Sequence, residues 1–146
     1  MIVRITTETL DAIVAETIAE SGREVCGLLF GRGDRITAHL PARNVAADPR
    51  RRFEIDPAAL LGVHRDARTG GPAIGGCYHS HPSGSPNPSA QDAADAEPNG
   101  WLWLIVGAGK ARLWRAVSSG AVHGRFEPVP FTCVGGPPAP ESALSG

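Results

Sequence analysis

Two histidines, a serine and an aspartate fall within a fourteen-residue segment and could together form a metal site: His79, His81, Ser89 and Asp92. If the residues before His81 form a strand, both imidazoles point to one face, because side chains alternate along a strand. Asp92 can then supply a third ligand. Three nitrogen or oxygen ligands are typical of catalytic zinc, whose fourth position holds a water acidic enough to act as hydroxide near neutral pH. The spacing therefore predicts a metal site with an open position.

Each half of this segment also has a purely structural interpretation. Two histidines with one residue between them can occur at the end of any strand, and Ser89 to Asp92 is typical of a helix start with Ser89 as the N-cap. The connecting loop favours the metal site, because Pro82, Pro86 and Pro88 restrict how the new helix is presented to the end of the strand.

The same segment resembles the signature of a known family. Its string H-S-H-P-x6-S-x2-D matches the pattern H-x-H-x7-S-x2-D of the JAMM (MPN-plus) metalloproteases at every defined position. These enzymes also need a glutamate on an earlier strand, and Glu24 opens a segment that resembles it, E-V-C-G-L-L-F-G. The resemblance covers about residues 1–130, with the two motifs in the family's order.

This resemblance implies a role for each residue of the site. His79, His81 and Asp92 would bind one zinc ion per chain, and Ser89 would stabilise the developing oxyanion. Glu24 would take a proton from the zinc-bound water and pass it to the leaving amine. General chemistry agrees, since a carboxylate is a common general base and a positioned hydroxyl can donate to a tetrahedral intermediate. Without the later motif, Glu24 would be interpreted as a solvated residue at the start of a strand.

Composition favours one domain without a nucleic-acid or membrane partner. The 146 residues carry a formal net charge of -1, so neither sign of charge dominates. No apolar run approaches the roughly 18 residues of a membrane span, and the start, M-I-V-R-I, is unlike a signal peptide. We therefore expect a cytoplasmic protein. The proline- and glycine-rich end predicts a domain over 1–133 and a flexible tail over 134–146.

The cysteines and one run of arginines are expected to have no part in the chemistry. Cys26, Cys77 and Cys133 lack the C-x-x-C spacing of a zinc site or a redox pair. Cys26 and Cys77 fall in apolar strands beside the expected site, but the odd number of cysteines and a cytoplasmic setting argue against a disulfide. The arginines at 50, 51 and 52 could contact an acidic partner or a substrate carboxylate, although such runs are usually solvated.

Hydrophobic periodicity predicts an α+β fold, and the family resemblance implies an MPN-like one, with a largely antiparallel, curved sheet flanked by helices. We expect a helix from Thr7 to Gly22 with Ile18 on its packed face, a helix with Asp56 as N-cap, and a helix from Ser89 to about Ala96. Strands are expected over 2–5, 25–30, 35–40, 53–55, 73–79, 101–106, 111–117 and 121–127, the last three as an antiparallel meander.

By the same resemblance, the chain is expected to be a zinc peptidase or isopeptidase of the small prokaryotic kind. Those relatives act on ubiquitin-like sulfur-carrier proteins. The expected substrate is thus an extended tail that ends in Gly-Gly and is joined to a lysine, a cysteine or another amino acid. Glycines suit a narrow groove over zinc, and an exposed strand edge could bind them by strand addition.

Two alternatives stay open. A RadC-like protein associated with DNA repair carries a similar His-x-His-Pro-Ser-Gly run, but this sequence has neither a helical DNA-binding module before the motif nor a basic excess. A catalytically dead MPN scaffold would only hold partners, and the retention of every chemical residue disfavours it. A zinc nucleoside deaminase is excluded, because the P-C-x-x-C pair is absent from the sequence.

Overall fold

Nine strands in two sheets and three helices make up the part of the chain that this computed structural model describes, residues 2–135. This arrangement confirms the α+β class predicted from the sequence. The elements in chain order are β1 (Val3–Thr6), α1 (Thr7–Ala19), β2 (Cys26–Phe30), β3 (Arg35–Ile36), β4 (Ala38–Ala42), α2 (Pro57–Arg68), β5 (Ile74–His81), α3 (Ala90–Asp95), β6 (Leu102–Gly107), β7 (Lys110–Gly120), β8 (Gly124–Val129) and β9 (Phe131–Val134).

The larger sheet has six strands in the order β4-β2-β5-β6-β7-β8. Neighbouring strands are antiparallel except for β5 and β6, which are parallel. The predicted meander of β6, β7 and β8 is confirmed. Parallel strands cannot be joined by a tight turn and need a crossover, and here the crossover contains α3. The loop that leaves the carboxyl end of β5 therefore carries the polar segment identified in the sequence.

Both faces of the larger sheet are covered, which explains why β2 and β6 are apolar and buried throughout. On one face, Leu102 and Leu104 pack in a cluster with Ile13 of α1. On the other face, Trp103 packs in a second cluster with Ala96, the residue that follows α3. The alternation along β6 thus sends successive side chains into two separate cores, and the site lies on the face covered by α2 and α3.

Four details differ from the expectations of the sequence. The expected strand over 53–55 is only an isolated bridge between Asn44 and Ile55, since the loop makes no further ladder there. Ile18 is 74% exposed, because α1 turns that side away from the sheet. The expected strand over 35–40 divides into β3 and β4, which join different sheets. The strand β9, which pairs in parallel with β1 in the smaller sheet, was not expected.

The described residues also settle the expectation for the cysteines. Cys26 and Cys77 are free and buried, whereas Cys133 is free and exposed. Burial, with the negative charges of Glu16 and Glu24, raises the pKa of Cys26 to about 12, so this thiol is unreactive near neutral pH. Within residues 2–135, no helix combines the length and apolar character needed to cross a bilayer. Of the expected tail, Val134 belongs to β9, and residues 136–146 lie outside the described part of the chain.

Candidate metal centre

Strand β5 presents two imidazoles on one face of the larger sheet. His79 and His81 lie two residues apart at its carboxyl end, so their side chains point the same way. His79 is fully buried, and the side chain of His81 is 12% exposed. The site is thus anchored in the sheet on one side and reaches solvent on the other.

Asp92 is oriented by the start of α3. Ser89 Oγ accepts a hydrogen bond from the Asp92 amide at 3.0 Å, and Asp92 Oδ2 accepts one from the Ser89 amide at 2.9 Å. These reciprocal bonds form a capping box, which begins the helix and fixes the direction of the buried carboxylate. The helix start and the metal site are therefore compatible interpretations of the same residues.

The three side chains converge on one point. His79 Nε2, His81 Nε2 and Asp92 Oδ2 form a triangle in which each pair of atoms is 3.1 Å apart. Glu24 lies next to this triangle, and one donor atom from each of the four residues falls within 4.8 Å of all the others. The structure thus brings together four of the five residues that the sequence singled out, and Ser89 adjoins them through its bonds to Asp92.

These distances fit a metal ion better than a set of hydrogen bonds. Ser85 O accepts a hydrogen bond from His81 Nδ1 at 2.8 Å, so Nε2 of the neutral ring carries a lone pair. A lone pair aimed at a carboxylate oxygen is repulsive unless a proton or a metal ion lies between them. An ion bound tetrahedrally at about 2.0–2.1 Å holds its ligand atoms about 3.3 Å apart, close to the 3.1 Å observed. The donor set and its geometry together indicate a candidate metal site.

The hydrogen bond from His81 Nδ1 is also the kind of support that fixes a metal ligand. A histidine ligand usually donates its second ring N–H to a carbonyl or carboxylate, which sets its tautomer and orientation. His79 is held differently, because its ring stacks on Phe53 at a centroid distance of 4.3 Å and meets Trp103 edge-on at 5.6 Å. His79 Nδ1 has no hydrogen-bond partner among the described residues. Aromatic packing, then, fixes the orientation of this ring.

Glu24 lies just before β2, where the chain is close to the end of β5. The Val25 amide donates to Ser80 Oγ at 2.8 Å, and the Ser80 amide donates to Val25 O at 3.0 Å. Glu24 itself is only 4% exposed, and Oε1 has no hydrogen-bond partner within the described chain. A buried carboxylate oxygen without a partner, beside a candidate metal site, is available for proton transfer.

Burial and neighbouring charges shift the pKa values of Glu24 and Asp92 in opposite directions. Burial raises the pKa of Glu24 to about 7, with His81 opposing the shift and Asp92 adding to it. Burial would also raise the pKa of Asp92, but the two histidines and the Ser89 amide outweigh it and hold the pKa well below its usual range. Asp92 is therefore the permanent anion of the cluster, whereas Glu24 can exchange a proton near neutral pH.

The histidines also differ in protonation. Burial lowers the pKa of His79, despite the opposing effect of Asp92. For His81, burial acts in the same direction, but hydrogen bonds to Asp92 and to Ser85 O outweigh it and raise the pKa. A metal ligand must be deprotonated.

The loop that joins β5 to α3 is fixed by contacts with β7 and the turn after it. Trp114 Nε1 donates to Pro86 O at 3.0 Å, His123 Nε2 contacts Pro88 O at 3.2 Å, and an Arg112 guanidinium N–H donates to Asn87 Oδ1 at 2.7 Å. These bonds add to the restriction that the prolines impose on the chain. The distance between the histidines and Asp92 is thereby set by the sheet as well as by the loop.

Two residues of the site were not identified from the sequence. Ser80 stands between the histidines but points to the other face of β5, where it contacts the strand start next to Glu24. The x of an H-x-H pair on a buried strand could have indicated this, because a polar residue there needs a partner. Phe53, which stacks on His79, comes from the loop between β4 and α2, and no local pattern signals that contact.

A cavity of about 520 Å³ lies beside the candidate site, on the same face of the larger sheet as His79. Phe53, Trp101 and Trp103 form much of its wall, and the ion pair of Arg52 with Asp95 lies at its rim. Of the three arginines at 50, 51 and 52, Arg52 thus bonds to α3, with Nε and Asp95 Oδ2 3.1 Å apart.

The fold and the cluster define an α+β domain with a candidate metal site beside a buried acid. The chain belongs to the prokaryotic homologs of the JAB domain, since the model of that family matches residues 6–117. This range contains Glu24, both histidines, Ser89 and Asp92.

Several curated relatives carry names that describe an activity. A protein of Haloferax volcanii named desampylase is 42% identical over 84 residues, which are 56% of this chain and 60% of that protein. A protein of Thermus thermophilus named probable TtuB-protein conjugate cleaving protease is 32% identical over 87 residues, 60% of this chain and 58% of that protein. The chain thus spans less than two thirds of the length of either relative.

A solved structure shows the same fold. The solution structure of a Desulfitobacterium hafniense protein has a TM-score of 0.77 and 23% sequence identity to this chain, with 92% of this chain and 94% of that chain covered. At this identity, the likeness bears on the fold alone.

Proposed function

We propose that this protein is a zinc-dependent isopeptidase or peptidase that hydrolyses the amide bond after the Gly-Gly tail of a ubiquitin-like or sulfur-carrier protein. The proposal depends chiefly on one observation, the triangle of His79, His81 and Asp92 with Glu24 beside it. The names of the two relatives, which refer to desampylation and to cleavage of protein conjugates, support this reaction class.

The three atoms of the triangle would hold the zinc ion. Two imidazole nitrogens and one carboxylate oxygen form the kind of set found in catalytic zinc sites, which keep a position open for water or substrate. A bound zinc ion would supply a Lewis acid that polarises the scissile carbonyl and makes water acidic enough to attack near neutral pH. The partial exposure of His81 leaves the solvent side of the site accessible.

Glu24 is proposed as the general base and acid. One of its carboxylate oxygens lies within 4.8 Å of the three ligand atoms, and its Oε1 has no hydrogen-bond partner among residues 2–135. Because burial raises its pKa to about 7, the group can take a proton from the attacking water and return it to the leaving amine. A general base is most effective when its pKa is near the working pH.

Ser89 is proposed as a donor to the developing oxyanion. Its oxygen accepts the hydrogen bond that caps α3, and a hydroxyl that accepts through a lone pair still has its own hydrogen to donate. Capping thus orients Ser89 and leaves the O–H available. A positioned donor of this kind stabilises a tetrahedral intermediate.

The substrate tail is proposed to bind as an extended strand. The larger sheet ends at β4, and Ala42 of β4 pairs with Cys26, which lies opposite His79 in register. An extended tail could pair with this edge by strand addition, and two glycines would let its backbone approach another chain closely.

The experiment is a cleavage assay on candidate carriers. Purified zinc-loaded protein is incubated with ubiquitin-like and sulfur-carrier proteins extended past Gly-Gly through a peptide bond or a lysine isopeptide bond, and the products are weighed by mass spectrometry. Release of the extension after Gly-Gly, abolished by a chelator and by His81→Ala, supports the proposal. Tight DNA binding without cleavage of any carrier would contradict it and favour the RadC-like alternative.

A further inference from the structure

The loop between β4 and α2, residues 43–56, contacts the candidate metal centre through Phe53, and hydrogen bonds join its two ends. The Val45 amide donates to Glu54 O at 2.9 Å, and the Asp56 amide donates to Arg43 O at 3.1 Å. Asn44 pairs with Ile55 between these two bonds. The rest of the loop is a turn without strand or helix, so its shape depends on contacts other than ladder hydrogen bonds.

Asn44 supplies those contacts with its side-chain amide. Nδ2 donates to Glu24 O at 2.9 Å and to Arg52 O at 3.0 Å, with a longer contact to Pro49 O at 3.4 Å. Oδ1 accepts from the Ala46 amide at 3.0 Å and from the Glu54 amide at 3.1 Å. Every partner of Nδ2 is a carbonyl and every partner of Oδ1 is an N–H, so only asparagine in this orientation satisfies the set.

These bonds hold the backbone of Glu24 from the side opposite to β5. Glu24 lies two residues before the start of β2, and its amide donates to Pro49 O at 2.7 Å while its carbonyl accepts from Asn44 Nδ2. Both peptide groups of Glu24 therefore bond to the loop. A shift of the loop would move the Glu24 carboxylate relative to the histidines, and displacements of about 1 Å can reduce a catalysed rate about 100-fold.

The side-chain amide of Asn44 also fixes the position of Phe53, the ring that stacks on His79. Asn44 bonds to Arg52 O and to the Glu54 amide, the groups on either side of Phe53. Phe53 in turn stacks on His79 with an interplanar angle of 21°. One side chain therefore controls the position of the acid and the orientation of one imidazole.

We propose that Asn44 is the positioning residue of the active site, which couples the 43–56 loop to Glu24 and to the Phe53–His79 stack. This inference rests on the proposed function, because it assigns Glu24 to the reaction. Asn44 acts through Glu24 and does not touch the reacting atoms. Its loss should therefore lower turnover while zinc stays bound.

The test variant is Asn44→Asp, which keeps the acceptor oxygen and the size of the side chain but removes both donor hydrogens. Asn99→Asp is the matched control, since Asn99 Oδ1 accepts from the Trp101 amide and aspartate preserves that bond. We expect Asn44→Asp to keep about one zinc per chain and to lose about 10-fold to 100-fold in kcat. Asn99→Asp should match the wild type.

A double-mutant cycle with Glu24→Gln separates positioning from a general structural role. If Asn44 acts through Glu24, adding Asn44→Asp to Glu24→Gln should reduce the residual kcat by less than about threefold, because residues that act as a unit are not additive. A full additional 10-fold to 100-fold loss would overturn the proposal, as would an unchanged kcat in Asn44→Asp. If Asn44→Asp does not fold, Asn44→Ser takes its place in the cycle.

Trypsin provides a readout that needs no substrate. The loop contains arginines at 50, 51 and 52, and cleavage requires an extended, accessible backbone. The first cut in Asn44→Asp should fall at these arginines, at a rate about tenfold above that of the wild type and of Asn99→Asp. Equal rates in all three proteins would overturn the proposal. If the wild type cleaves no carrier, the proposed function fails, and proteolysis still decides whether Asn44 holds the loop.

Discussion

Glu24 combines two properties that a purely structural residue would not need together. It is buried with an oxygen that has no partner in the described chain, and burial raises its pKa from the ordinary 4.5 to about 7. A structural acid in this position would be paired, since burying an unpaired charge destabilises a fold. The chain keeps the charge beside a candidate metal site, which is where such a group can transfer protons.

Glu24→Gln tests this role directly. Glutamine keeps the shape and removes the proton acceptor, so we expect about one zinc per chain and a loss of about 100-fold or more in turnover. Elemental analysis and the cleavage assay measure the two quantities on the same preparation. Loss of zinc together with activity would show that Glu24 is a ligand instead.

The stability of the same variant provides a check without substrate. The folded pKa of Glu24 lies above the unfolded value, so its contribution to stability is complete below about pH 4.5 and is lost as the pH rises through about 7. In chelator-treated protein, Glu24→Gln should therefore be more stable than the wild type at pH 8 and about equally stable at pH 4. Denaturant unfolding at both pH values measures the difference.

Ser89 serves as a helix cap in the structure. The oxyanion role proposed for it can be tested separately. Aspartate caps helices as well as serine does but has no hydroxyl to donate and would place a negative charge beside the oxyanion. We expect Ser89→Asp to fold and to be nearly inactive, with turnover reduced by at least about 100-fold. Circular dichroism and the cleavage assay provide the measurements. A stable and active Ser89→Asp protein would leave Ser89 as a cap alone.

At the scale of elements, the end of β6 determines how closely the loop between β5 and α3 approaches the sheet. Gly107 lies opposite His81 in register, and a Cβ built on it would come within 2.6 Å of Gly84 O and 2.7 Å of the Ser85 carbonyl carbon. Ser85 O is the acceptor that orients His81. The absence of a side chain at Gly107 therefore permits the contact that fixes one ligand.

Gly107→Ala should push the loop away from β6 and weaken zinc binding. Because loss of the hydrogen-bond partner of a metal ligand typically costs about 10-fold to 100-fold in metal affinity, we expect the zinc dissociation constant to rise by about that factor. Gly62→Ala is the control, since Gly62 lies in α2 and a Cβ there meets nothing within 4 Å. Competition with a chromogenic chelator measures both, and equal affinities in the two variants would contradict the assignment.

The sequence predicts local features of this site well and long-range ones poorly. The roles expected for His79, His81 and Asp92 could be predicted from the sequence, because strand periodicity and a capping box are local patterns. The role of Asn44 was not predicted, since its amide bonds to Glu24, 20 residues earlier in the chain. The parallel pairing of β5 with β6 was not predicted, although a helix between two strands is typical of a parallel crossover.

At the scale of the whole molecule, the candidate metal site would connect two parts of the fold, β5 and α3. His79 and His81 belong to the central strand β5, whereas Asp92 belongs to α3, a six-residue helix. So short a helix is not stable alone. The capping box and the loop contacts hold α3 in place. A metal ion bound by these residues would add to this, because binding to the folded state alone raises the stability of the domain.

Removal of the metal should consequently lower the melting temperature of the entire domain. At a free zinc concentration of about 100 times the dissociation constant, binding adds about 2.7 kcal/mol, which corresponds to a shift of roughly 5–15 °C for a chain of this size. Differential scanning calorimetry with and without a chelator measures the shift. In His81→Ala the chelator should have no effect, because one of three ligands is missing. An equal drop in the variant would mean that the stabilising metal binds elsewhere in the protein.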